Sequence, residues 1–177
     1  HDGEEVISGH AHINIKKKIK NLITIIIPRH INRCDEIIKS LENLNLKIHL
    51  HSSKFKIPDN VDIYLVDTYG ETKKFFKISK VVFLGGSIIK HGGQNPLEAA
   101  RFGCKILHGK NIGNFLEIYS ILSKNNQSTE VNSQKKLINA LFKDLNRKNN
   151  SGIFINKLNR IGNNILKKTR IEILKFF

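Results

Sequence analysis

The stretch Val81–Leu107, "VVFLGGSIIKHGGQNPLEAARFGCKIL", decides how this chain is read. Its apolar start, Val81 to Leu84, reads as a buried strand. The strand stops at Gly85-Gly86, and Gly92-Gly93 follow. Asn95-Pro96-Leu97-Glu98 then carries the marks of a helix start. Asn is a preferred N-cap, Pro fits the first helical position, and an acid three residues after the cap completes a capping box. Gly103 closes that helix, and "KILH" (Lys105 to His108) resumes as a strand. A strand, a glycine loop and a helix N-terminus in succession present free backbone N–H groups and a positive dipole end, which favour an anion. Gly85 and Gly86 have no Cβ and would let the backbone come close to a ligand. Gly92 and Gly93 predict positive φ.

The same alternation extends outward in both directions. Glu4–Lys20 reads as a helix with acids first and lysines last, matching its dipole. Leu22–Ile27 is a β-branched run ended by Pro28. Asn32–Leu44 has Ile37, Ile38, Leu41 and Leu44 at helical spacing. "KIHLHS" and Val61–Asp67 are strands, and "GETKKFFKIS" is a short helix. Asn114–Leu122 is a helix. Continuous apolar strands between amphipathic helices predict an α/β, Rossmann-like parallel sheet with helices on both faces. No strand precedes the first helix, so the sheet is expected to lack its opening strand. Residues 1–124 carry this alternation. Residues 125–177 are expected to add a polar loop with a weak edge strand, a helix over Lys135–Leu145, a break at "RKNNSG", and one or two basic helices over Ile153–Phe177, all in the same domain.

Composition narrows the function classes. The chain has 177 residues, 40% of them hydrophobic, enough for a real core. It contains no Met, and is read as a piece of something longer or a processed product. The net charge is +15, which would suit nucleic acid, an anionic membrane surface or an anionic substrate. The lysines are scattered, and the joint excess of Lys, Asn and Ile is what AT-rich coding produces without selection for charge. With 7% aromatic residues and no RNA-binding motif, a nucleic-acid partner is not expected. Cys34 and Cys104 stand far apart, which fits a reducing compartment. His10 and His12 read as surface residues, and neither a metal site nor a cofactor is expected.

In an open parallel sheet, ligands bind beyond the carboxyl ends of the strands. Three such ends are unusual here: Pro28-Arg29-His30, Tyr69-Gly70-Glu71, and the glycine segment with Asn95, Pro96, Leu97 and Glu98. Arg29 offers a fork of donors for a phosphate or carboxylate. Glu71 is either a ligand contact or a first-turn acid. Glu98 either caps its helix or accepts from two adjacent hydroxyls, as on a ribose. Together these residues describe a nucleoside phosphate site.

"HDGEE", "IIIPRH", "LVDTYGE", "VVFLGGSIIKHGGQNPLEAARFG" and "GNFLEI" occur in this order. Over roughly His1–Leu122 the chain resembles the C-terminal half of the 3-deoxy-D-manno-octulosonic acid (Kdo) transferases of lipopolysaccharide biosynthesis. The resemblance implies half of a GT-B glycosyltransferase fold. It implies an enzyme family that moves Kdo from CMP-Kdo to lipid A precursor at the cytoplasmic face of the bacterial inner membrane. It carries CMP contacts to Pro28, Arg29, Tyr69, Gly70, Glu71, Asn95, Pro96, Leu97 and Glu98. The family's catalytic carboxylate lies in its N-terminal domain, so no catalytic residue is assigned here, and the chain alone is expected to be inactive. Departures from the family pattern include Ile31-Asn32-Arg33 after His30, Tyr69 in place of a Met, and Gln94 in place of a His. The alternatives are another GT-B sugar-nucleotide transferase or epimerase, a basic nucleic-acid-binding domain, or a remnant that binds nothing.

Overall fold

The computed structural model describes residues 1–147 and 151–176. Six short strands form: β1 (Thr24–Ile26), β2 (Ile48–Leu50), β3 (Ile63–Leu65), β4 (Val81–Leu84), β5 (Lys105–His108) and the polar β6 (Ser128–Glu130). Seven α-helices are described: α1 (Glu4–Lys16), α2 (Cys34–Glu42), α3 (Thr72–Ile78), α4 (Leu97–Arg101), α5 (Leu116–Lys124), α6 (Gln134–Leu145) and α7 (Ser151–Ile173). All strand pairings are parallel. They fall into two three-stranded sheets, ordered β1-β3-β2 and β4-β5-β6. A single continuous sheet was the expectation. Instead, among the described residues, β3 and β5 are the central strands, and β1 and β2 form the edges of the first sheet as β4 and β6 form those of the second.

Side-chain alternation explains why both faces of the second sheet are covered. Val82, Leu84 and Ile106 point into one cluster with Ala99, Ala100, Tyr119, Leu122, Phe154 and Leu158, beneath α4, α5 and the start of α7. Val81, Phe83 and Leu107 point the other way, against Ile7 and Ala11 of α1 and Leu137 of α6. Ile106 and Leu107 are both fully buried, so truncating either to Ala would cost about 2–5 kcal/mol. The first sheet packs Ile63 and Leu65 against Ile37 and Leu41 of α2, and Ile13 of α1 joins the same cluster. α1 therefore packs across both sheets.

The far end of α1 is also tied down. His12, only 1% exposed, bonds Thr24 Oγ1 through Nδ1 at 2.9 Å and Asp62 Oδ1 through Nε2 at 3.3 Å. Lys16 also pairs with Asp62, whose second oxygen accepts the Lys47 N–H at 2.9 Å. This corrects the surface reading of His12: its partners come from 12 and 50 residues away, beyond the reach of local spacing.

The C-terminal part forms as one long helix, α7, followed by a 3-10 turn at Leu174–Phe176. Phe154 and Leu158 are buried, whereas Ile165, Leu166, Ile171 and Ile173 are exposed. The predicted break at "RKNNSG" falls partly on residues 148–150, and the predicted helix end on residue 177. These residues lie outside those described.

Candidate functional site

Parallel pairing within each sheet puts its strand ends on one edge. β1 and β3 share a carboxyl edge, so Pro28-Arg29 lies at the same end as Tyr69-Gly70-Glu71. The glycine segment leaves the carboxyl end of β4 in the second sheet. The first turn of α1 reaches both. Glu4 accepts from the Gly86 N–H at 2.6 Å and the Ile88 N–H at 3.1 Å, and Glu5 accepts from Arg33 Nη2 at 2.9 Å.

The glycines behave partly as the sequence implies. Gly92 and Gly93 have φ of 86° and 77°. Gly85 and Gly86 do admit a close neighbour, but it belongs to the protein. A Cβ on Gly85 would stand 2.6 Å from Glu4 Oε2, and one on Gly86 2.6 Å from the His1 ring. The loop is clamped further by Ser87, whose hydroxyl donates to the Leu84 carbonyl and accepts from the Gly109 N–H. Asn111 Nδ2 donates to the carbonyls of Ser87 and Ile88. His1 lies beside His91, with ring centroids 4.3 Å apart, and its Nε2 is 3.1 Å from Gln94 Nε2.

The helix start after the loop differs from a full capping box. Asn95 Oδ1 accepts from the Leu97 N–H at 3.0 Å, as a cap should. Pro96 is buried, whereas Glu98 is exposed and its carboxylate has no hydrogen-bond partner among the described residues. Arg29 is likewise exposed and makes no ion pair among the described residues. Tyr69 is 67% exposed, and Gly70 has φ of 85°. Glu71 forms an ion pair with Lys74 at 2.7 Å, and that contact holds its carboxyl below the usual range. Next to this group, Thr68 Oγ1 is buried with no hydrogen-bond partner among the described residues. An orphaned hydroxyl at a strand end leaves an acceptor and a donor to be satisfied by something else.

The sequence did not single out the buried acids Glu4 and Glu5, which hold these loops, because first-turn acids usually serve the helix dipole in solvent. Their 3% and 6% exposure is what sets them apart. The only earlier signal was the "HDGEE" motif itself.

No family model matches the chain. Among curated proteins, it is 34% identical over 133 residues to the 3-deoxy-D-manno-octulosonic acid transferase of Haemophilus influenzae, covering 75% of this chain and 31% of that protein. It is 36% identical over 141 residues to the enzyme of the same name from Rickettsia prowazekii, covering 77% of this chain and 29% of that protein. The chain thus spans about a third of the length of these relatives. The solved C-terminal CMP-Kdo binding domain of WaaA from Acinetobacter baumannii superposes with a TM-score of 0.81 at 25% identity, over 91% of this chain and 84% of that one.

The chain is a homologue of the Kdo transferase C-terminal domain.

The two half-sheets, the helices on their faces and the C-terminal helix are accordingly those of the second half of a GT-B fold. Within that homology, the exposed Arg29 and Glu98 are polar groups at the carboxyl edge that the fold itself leaves unused.

Proposed function

We propose that this chain is the donor-binding half of a Kdo transferase and holds the CMP moiety of CMP-Kdo at the carboxyl edge of its strands. The observation that carries this reading is the match to a solved CMP-Kdo binding domain over most of both chains. Arg29 takes the phosphate, with Pro28 shaping its approach. Asn95, Pro96 and Leu97 present the start of the short helix, and Glu98 accepts from the ribose hydroxyls. Tyr69, Gly70 and Glu71 line the neighbouring loop. The acceptor, lipid A precursor, and the catalytic base belong to a part of the enzyme outside residues 1–177. The site of action is the cytoplasmic face of the inner membrane. A surplus of 15 positive charges suits residence beside anionic lipid, and no helix among the described residues is long and apolar enough to cross a membrane.

Titration calorimetry with CMP and UMP tests the reading. Binding of CMP with a clear preference over UMP is expected. Equal binding of the two would point to another sugar-nucleotide transferase or an epimerase, and no binding of either would overturn it. The chain should bind CMP-Kdo without turning it over, and transfer to lipid A precursor by residues 1–177 alone would refute the division of labour.

A further inference from the structure

The loops assigned to CMP belong to different sheets, and among the described residues no strand pairing joins those sheets. The hydrogen-bond ladders therefore leave the distance between the Pro28–Arg33 segment and the Gly85–Glu98 segment undetermined. Something else must set it. We propose that the first turn of α1 is a two-armed brace, with Glu4 and Glu5 as positioning residues that hold the two loops in register for the donor nucleotide. The proposal rests on the donor-binding reading of those loops.

The geometry of the arms is specific. Consecutive residues on an α-helix diverge by about 100°, so adjacent carboxylates leave the helix toward different neighbours. Glu4 takes the loop after β4, accepting two of its backbone N–H groups, from Gly86 and Ile88. Residues 82 and 84 positions apart are joined by this one side chain. Glu5 takes Arg33, four residues after Arg29 in the segment that follows β1, and Arg33 is also held by Glu36 at 3.2 Å. Both acids are buried, and a buried carboxylate persists only when hydrogen-bonded or paired. Acids serving only the dipole would gain nothing from burial. Gly85 fits the same scheme, because any side chain there would meet the Glu4 carboxylate.

The test compares the wild-type chain with Glu4→Gln, Glu5→Gln, Arg33→Gln and Arg33→Lys, using CMP calorimetry, thermal melts and amide NMR. Gln has one acceptor oxygen and cannot accept from both Gly86 and Ile88 as a carboxylate does. The Gly86 and Ile88 amide resonances should move upfield in Glu4→Gln and stay put in Glu5→Gln. CMP affinity should fall about ten-fold in Glu4→Gln, Glu5→Gln and Arg33→Gln, at temperatures where each is folded. Arg33→Lys keeps a charge and a donor, and should retain most of the affinity. The Arg33 variants change a side chain still 23% exposed, so they probe the second arm without emptying the core. If the wild type binds CMP and the folded variants bind it equally well, the brace is overturned while the donor reading stands. If the wild type does not bind CMP, the donor reading falls and takes the brace with it.

Discussion

Asn95 caps the N–H of Leu97 at 3.0 Å without help from Glu98, whose carboxylate stands in solvent. On the proposed donor-binding reading, stability and ligand binding are divided between these two residues, three positions apart. Asn95→Ala should cost about 0.5–2 kcal/mol of stability, the usual value of an N-cap. Glu98→Gln should leave the melting temperature nearly unmoved. It should weaken CMP binding about ten-fold, on the order of 1–2 kcal/mol, because Gln cannot accept from both ribose hydroxyls. A 2′-deoxy CMP should bind wild type more weakly yet lose little further on the mutant, since both changes remove one contact. Equal CMP affinity in mutant and wild type would remove Glu98 from the site.

Arg29→Ala should weaken CMP binding by about 1.5–3 kcal/mol, the range for a hydrogen bond to a charged group. Arg29 is exposed and makes no ion pair among the described residues, so the fold should be unaffected. Calorimetry and a melt on the same sample check both halves of the statement.

The local elements were legible because their causes are local. β-branched runs gave the strands, 3.6-residue spacing gave the helices, and Gly92 and Gly93 have the positive φ that their place after a strand implied. What escaped was long-range. Glu4 and Glu5 look like dipole acids until Gly86 and Arg33 arrive from 82 and 28 residues away. His12 looks like a surface residue until Asp62 and Thr24 close around it. Glu98 has capping-box spacing, yet the side chain does not turn back. The division of the strands into two sheets could not be foreseen either, since strand order is invisible to periodicity.

Stability should depend on pH in two separate windows. Burial, against the pull of Asp62, holds His12 below its ordinary 6.5, and burial does the same to His108. Both are therefore favoured neutral in the fold, and their contribution is complete above 6.5 and lost as pH falls from 6.5 toward the folded values. Each can add a slope of at most about 1.4 kcal/mol per pH unit. Asp62 behaves differently. Desolvation pushes its carboxyl up, but hydrogen bonds from Lys16, the Lys47 N–H and His12 bring it below its ordinary 3.8. Its contribution is present above 3.8 and lost below, as pH falls through the folded value. Urea unfolding from pH 8 to pH 3 should show the first decline in wild type. A flat profile between pH 7 and 5 would contradict the buried histidines.

Cys104 should be inert in the folded chain. It is 1% exposed, and burial pushes its thiol up to about 11. Since the thiolate is the reactive form, Ellman's reagent should label Cys104 only on unfolding. Native labelling at a rate comparable to free cysteine would contradict this.

The exposed reach of α7 has a consequence for its own persistence. Phe154 and Leu158 anchor its first turns, but Asn159 to Ile173 carry only one residue that is even partly covered, Ile161. That segment has almost no tertiary packing among the described residues to draw on, and isolated helices shorter than about 12–15 residues are marginal in water. Its backbone order is therefore a property of its surroundings: amide protons beyond Leu158 should exchange with solvent within the time of helix fraying, while those of the anchored turns wait for the domain to open.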